Sequence, residues 1–218
     1  MAALLAVAGC QTTQPPQGKD QKKWEPRSVA LLPVERVAPD ADEPSRATCP
    51  LNGSLYTAGP MAQGAELSLA ESLQKALKAH PPLRVVPVSQ AGLAYDQLYG
   101  RQAARPSLEQ IAKLGAKLQV DAVLVGFVYR FTEREGSEAS AEKPAAVTFN
   151  LLLVRSTDGM IAWSGVFDQQ QQALSQNLLD LGQYMKYGLR WYSADELGQI
   201  GAEQALESFP WPQQAAVK

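Results

Sequence analysis

The feature of this sequence that most constrains its fold is the run DAVLVGFVYRF at residues 121–131. Apart from Asp121 and Arg130, the run contains only apolar residues, tyrosine and one glycine, and many of them are β-branched or aromatic. An almost continuous apolar run of this kind is typical of a strand at the centre of a sheet. The chain is therefore expected to build a β-sheet around residues 121–131.

Two further strands are predicted immediately downstream, at 145–155 and 160–169. Asp158-Gly159 lies between them, and this pair favours a tight hairpin because glycine readily adopts the positive φ that such turns require. The charged segment 132–143, which contains glycine and serine, is expected to be a solvated hairpin loop. Trp163 and Phe167 alternate onto one strand face, so Trp163 is expected to be buried against a helix.

The remaining elements are read from hydrophobic periodicity and from capping residues. Short apolar runs ending at proline predict two more strands, and a spacing of three to four residues predicts four helices. Ser107 is a plausible helix cap, and Ser193-x-x-Glu196 forms a capping box. The predicted strands are 27–34 and 83–88, and the predicted helices are 61–78, 107–118, 173–187 and 194–207.

The element order is therefore β-α-β-α-β-β-β-α-α. This order predicts an α+β protein with an α/β-like start, in which helices pack on a single mixed sheet of about five strands.

The chain begins with a short apolar stretch, and this stretch ends at Val7-Ala8-Gly9-Cys10. This order resembles the lipobox of bacterial lipoproteins, in which the cysteine thiol receives a diacylglyceryl group. The resemblance implies a truncated signal peptide at 1–9 and a lipidated Cys10 that begins a polar tether at 10–26. A single periplasmic domain at 27–209 and a tail at 210–218 complete the predicted organisation. The resemblance also implies a location. Lipoproteins that stay in the inner membrane carry aspartate directly after the lipidated cysteine, whereas this chain has Gln11 there, so the periplasmic face of the outer membrane is favoured.

Charge, hydropathy and cysteine content limit the classes of partner that this chain is expected to have. The formal net charge is −2, which gives no reason to expect nucleic acid as a partner. No run of 18 apolar residues is present, so a membrane-spanning helix is not expected, and membrane contact is expected through the lipid anchor alone. If Cys10 carries lipid, Cys49 is a single remaining thiol, expected to be structural and buried; a reactive thiol is the alternative.

The sequence contains no recognisable catalytic or cofactor-binding pattern. Phosphate-binding glycine motifs, nucleophile elbows and zinc-protease motifs are absent, and the chain has a single histidine. One histidine cannot supply a set of histidine metal ligands. We therefore expect no cofactor and no catalytic or metal-binding residues.

Two segments are candidates for binding a partner. Residues 36–60 form a long stretch without periodicity, and Asp40, Asp42, Glu43 and Tyr56 are its candidate contact residues. The second candidate patch is aromatic, although closure of the core is the favoured interpretation of these residues. Its members are Tyr184, Tyr187, Trp191 and Tyr192.

The arrangement also resembles a group of envelope proteins: curli-secretion lipoproteins, penicillin-binding-protein activator lipoproteins and the N-terminal domain of TolB. In that group a strand of the type D.vl.G.v precedes a hairpin carrying tG.i.W.g. The match covers Val29 to Phe167 and involves structural positions, which are Asp121, Gly126, Asp158, Gly159, Ile161, Trp163 and Gly165. The resemblance implies a lipid-anchored binding or scaffolding module for an envelope protein or polysaccharide. A protomer of an oligomeric secretion-associated assembly is the alternative, and an enzyme is a third.

Overall fold

The computed structural model describes residues 24–100, 105–137, 141–171 and 190–213. These residues form one main sheet and two short two-stranded sheets. The strands are β1 (Ser28–Leu31), β2 (Glu35–Arg36), β3 (Arg46–Thr48), β4 (Leu55–Thr57), β5 (Arg84–Val86), β6 (Ala122–Thr132), β7 (Glu135–Gly136), β8 (Ala141–Lys143), β9 (Ala146–Arg155) and β10 (Ile161–Gln170). The helices are α1 (Ala65–Lys78), α2 (Val88–Tyr99), α3 (Leu108–Leu118) and α4 (Ala194–Ala205).

The main sheet has the order β10-β9-β6-β1-β5, with β2 also paired to β6. β1 is parallel to both β5 and β6, whereas β9 is antiparallel to β6 and β10. The predicted mixed sheet of an α+β protein is thus confirmed. β6 is central, as its apolar sequence predicts, and nine of its eleven residues are buried.

Helices cover both faces of this sheet. Leu69 and Leu73 of α1 and Leu197 of α4 pack in one hydrophobic cluster, which contains the buried side chains of one sheet face. Ile111 and Leu114 of α3 pack in a second cluster on the opposite face, together with small residues of α2. The two clusters together enclose the sheet between two layers.

The predicted turn and caps are present. Gly159 has a φ of 70° in the turn between β9 and β10, which explains why glycine is needed there. Ser107 caps α3, and Ser193 caps α4 in a capping box with Glu196. The segment 132–143 connects β6 to β9 and carries the short β7–β8 pair.

Three features differ from the predictions. The predicted strand 83–88 is only three residues long, because Pro87 is already the N-cap of a helix, α2, that the sequence analysis did not predict. The segment 36–60 is not irregular, since it contains the β3–β4 pair. Trp163 is half-buried rather than buried: its ring lies edge-on to Phe209, and its indole N–H donates to Ser208 at 3.1 Å.

Residues on both sides of the predicted range 27–209 also pack against the core. Trp24 lies against the first cluster with the Arg155 guanidinium 6.0 Å from its ring centre. Trp211 stacks on His80 with ring centres 3.9 Å apart, and Gln213 donates to Glu25. The predicted helix 173–187 lies outside the described residues. Among the helices that are described, none is long and apolar enough to cross a membrane.

Candidate functional site

A connection of 22 residues, 37–58, lies across one face of the sheet, and we call it the hairpin segment. It is built into the core, because Val37, Ala47, Cys49 and Ala58 are all buried in the cluster that also contains Phe127. Backbone hydrogen bonds join it to the sheet: Val37 N–H donates to Val128 C=O at 3.0 Å. The segment therefore has a fixed position relative to the sheet.

A β-bulge in β6 lies on the face of the sheet that the hairpin segment covers. Val128 pairs with Phe149 and Arg130 with Thr148, so Tyr129 is an extra residue without a partner in β9. A bulge of this kind reorients the side chains around it. Tyr129 and Arg130 consequently both contact residues on the face covered by the hairpin segment, although neighbouring residues of a regular strand point to opposite faces.

Tyr129 is fully buried and holds the hairpin segment by stacking and hydrogen bonding. Its ring is stacked on Tyr56, with centres 4.7 Å apart, and its hydroxyl donates to the Asn150 Oδ1 at 2.7 Å. Asn150, also buried, donates in turn to the Cys49 Sγ at 3.8 Å. Burial raises the pKa of the Tyr129 phenol far above its ordinary value, so the hydroxyl remains a hydrogen-bond donor at any physiological pH.

Arg130 forms the second attachment. Its Nη2 lies 3.0 Å from the Asp168 Oδ1 on β10, and its Nε donates to the Thr148 Oγ1 at 3.1 Å. Thr57 of β4 donates to the other Asp168 oxygen at 2.6 Å. Because the Arg130 side chain is only 15% exposed, this ion pair is shielded from water more than an ordinary surface pair. It connects three strands of the main sheet to β4.

The candidate acidic residues lie in an exposed turn of the hairpin segment that precedes β3. The Asp40 carboxylate accepts hydrogen bonds from the backbone N–H and the hydroxyl of Thr48. The backbone of Asp40 also forms an isolated β-bridge with that of Glu43. Glu43 pairs with Arg46 at 3.1 Å, and both side chains are about half exposed. Asp42 is exposed. The structure thus brings the three acidic residues together in one exposed turn.

The candidate aromatic residues occupy other positions. Tyr56 is half-buried, and one of its faces is taken by Tyr129, so much of its surface serves attachment. In the second patch, Tyr192 is buried in the first cluster and Trp191 is half-buried. This placement agrees with the favoured interpretation of core closure for Tyr192. Tyr184 and Tyr187 lie outside the described residues.

Cys49 is a free thiol and is 1% exposed, as expected for a structural cysteine. A nucleophilic cysteine needs access to its substrate and a group that favours the thiolate. The Cys49 sulfur accepts from the Asn150 amide and also interacts with the Tyr129 phenol, and neither group is cationic. Within the described residues no three His, Cys, Asp or Glu side chains are grouped so that they could hold a metal ion.

The sequence analysis did not identify Arg130, Thr148, Asn150 and Asp168 as parts of the site. Asn150 and Thr148 stand alone as polar residues within the apolar run of β9, and both are fully buried. A buried polar residue normally has a hydrogen-bonding partner, so these two interruptions were the available signal.

No family model matches this sequence, and no curated protein matches it at a significant level. Solved structures with a similar fold include the PelC dodecamer from Paraburkholderia phytofirmans, at 11% identity and a TM-score of 0.49 over 86% of this chain and 89% of that chain. Lipoprotein GNA1162 from Neisseria meningitidis is 20% identical, with a TM-score of 0.44 over 74% of this chain and 94% of that one. The C-terminal domain of LpoB from Salmonella enterica is 20% identical, with a TM-score of 0.40 over 69% of this chain and 87% of that chain.

Lipoprotein GNA1162 and the LpoB C-terminal domain are thus among the solved structures that this chain resembles in fold. The identities and TM-scores describe distant similarity, so the function of this chain has to be inferred from its own residues. Those residues form an α+β domain with an exposed acidic turn held on a bulged central strand.

Proposed function

We propose that this protein is a non-enzymatic lipoprotein of the cell envelope, anchored through Cys10 to the periplasmic face of the outer membrane. Its folded domain binds an envelope protein or polysaccharide through the exposed acidic turn of the hairpin segment. The observation that carries the proposal is the construction of that segment: its base is buried in the core, while Asp42 and Glu43 remain exposed. Binding residues are commonly carried on loops that a rigid scaffold positions.

Rigid attachment favours binding for a thermodynamic reason. Ordering a flexible loop on binding costs conformational free energy, and a loop already fixed by its own core contacts avoids much of this cost. Stacking of Tyr56 on Tyr129 and the bond from Thr57 to Asp168 supply that attachment here. The acidic turn favours a partner with a basic surface, which would be recognised by charge complementarity.

Charge reversal tests the binding surface. The double change Asp42→Lys and Glu43→Lys is expected to reduce capture of envelope partners at least about tenfold, because it opposes like charges at the contact. Partners are crosslinked to the anchored chain in cells and quantified by mass spectrometry, and purified envelope polysaccharide is tested separately by sedimentation with the same variants.

Glu71→Lys is the matched control, since Glu71 is an exposed acidic residue on α1, across the sheet from the hairpin segment. It should leave capture unchanged. Equal capture by the double variant and this control, at equal thermal stability, would contradict the proposed surface. Point changes are required because deleting the segment would also remove the buried Ala47 and Cys49.

Replacement of the predicted lipid-bearing cysteine tests the anchor. With the chain carried behind a complete secretory leader, Cys10→Ser is expected to move the protein from the membrane fraction to the soluble periplasmic fraction. Two or three acyl chains hold a protein at the membrane because each buried methylene contributes about 0.8 kcal/mol. Cys49→Ala, which removes the other cysteine, should remain in the membrane fraction. Persistent membrane association of Cys10→Ser would refute the anchor.

A further inference from the structure

The outer edge of β10 is available for pairing with another strand. β10 is ten residues long and pairs with β9 on one side, and no strand among residues 24–100, 105–137, 141–171 and 190–213 pairs with its other side. Gln171 N–H donates to Ala145 C=O on the β9 side, continuing the regular register of the strand. By alternation, the backbone groups of Ser164, Val166 and Asp168 point away from β9.

The two edges of the main sheet differ in how they are protected. β5, the opposite edge, is three residues long, carries exposed Arg84 and ends at Pro87. Short length, charge and proline are the usual means of preventing edge pairing. β10 contains no lysine, arginine or proline, and Val166 at its centre is 49% exposed. β10 is therefore a long edge without these protections.

We propose that β10 pairs with β10 of a second copy of this chain, antiparallel and about a two-fold axis at Val166. The two sheets then form one continuous sheet across the axis, in the isologous arrangement typical of dimers. In this register each of the residues 164, 166 and 168 contributes one outward N–H and one C=O per copy, which makes about six hydrogen bonds between the two edges.

The side chains of β10 are complementary to themselves in this register. Ser164 faces Asp168 of the second copy on the same face of the sheet, where the carboxylate is already neutralised by Arg130 of its own chain. Gly165 faces Phe167 of the second copy without a clash, because Gly165 has no side chain and Phe167, 3% exposed, packs in its own core. Asp168 is the one charged residue of β10, and it does not face itself. A second copy is the occupant because this register buries the 49% exposed Val166 against its own counterpart and opposes no like charges.

Analytical ultracentrifugation of the complete chain carrying Cys10→Ser tests the proposal without lipid. The protein is expected to sediment at twice the mass of one chain at micromolar concentrations. Val166→Pro removes an outward N–H that β9 does not use, and Val166→Lys places two lysines opposite each other at the axis. Both variants are expected to be monomeric, and the lysine variant should regain part of its dimer at high salt.

Three further variants make the test specific. Val166→Thr keeps both the N–H and the β-branched shape, and Leu67→Lys introduces the same charge at a 66% exposed residue of α1, so both should remain dimeric. Ser164→Lys should make the dimer no tighter, because the Asp168 that each new lysine faces is already paired with Arg130 of its own chain. Circular dichroism establishes that each variant is folded.

A monomer at all concentrations, or a dimer that survives Val166→Pro and Val166→Lys, would overturn the proposal. Asp42 takes part in none of the backbone pairs of this contact, so the Asp42 and Glu43 variants test the binding surface and the Val166 variants test the dimer. Failure of the dimer and failure of the proposed binding surface are therefore separate results.

Discussion

Tyr129→Ala is expected to lower the free energy of unfolding by about 3–5 kcal/mol, as removal of a fully buried aromatic side chain typically does. The change also removes the ring on which Tyr56 stacks and the donor to Asn150. The hairpin segment should therefore detach locally at a lower cost than global unfolding. Urea denaturation measures the first effect, and the rate of tryptic cleavage at the exposed Arg46 measures the second.

Tyr129→Phe is the matched control because it keeps the ring and removes only the hydroxyl. It should cost about 1–3 kcal/mol, since the buried Asn150 oxygen loses its donor. A loss below about 1 kcal/mol in the alanine variant, with unchanged cleavage at Arg46, would mean that the hairpin segment is held by other contacts.

Phe131→Ala is expected to have a similar effect, about 3–5 kcal/mol, through the opposite face of the sheet. Phe131 is 1% exposed, and its ring lies so close to Gly198 of α4 that a Cβ there would be 3.0 Å away. The variant should leave a cavity between the sheet and α4 and should not accelerate cleavage at Arg46 in the native state.

Met160→Ala serves as the comparison for Phe131→Ala, because Met160 is 59% exposed and should change stability by less than about 0.5 kcal/mol. Equal losses in the two variants would show that Phe131 does not fill the core. Together the Tyr129 and Phe131 variants separate the two faces of one strand.

The parts of this fold that could be predicted are those specified by neighbouring residues. The apolar run of β6, the glycine turn at Gly159 and the capping box of α4 are local patterns, and each is present. Helix α2 could not be recognised in the same way, since it exposes Leu93 and Leu98 and contains Gly92, which obscures its apolar face. The partial exposure of Trp163 depends on its contact with Ser208, which is 45 residues away in sequence, so no local pattern reveals it.

The candidate site was predictable only in its exposed part. The acidic residues 40–43 stand out because they are clustered in sequence, whereas Arg130 and Asp168 are 38 residues apart and meet through the pairing of three strands. The bulge at Tyr129 adds one residue to an apolar run and leaves no periodic signature. Polar residues that hold a loop in place are therefore harder to find from sequence than the residues that the loop exposes.

The central strand β6 also separates the start of the described chain from the attachment of the hairpin segment. Trp24, where the described chain begins, lies beside Arg155 at the first end of β6, because Ala122 pairs with Arg155. The hairpin segment is attached near the other end, at Val128 and Tyr129. The six-residue step from Ala122 to Val128 spans about 20 Å. In a chain anchored at Cys10, as proposed, β6 would act as a spacer that can hold the acidic turn well away from the lipid headgroups and toward whatever lies deeper in the periplasm.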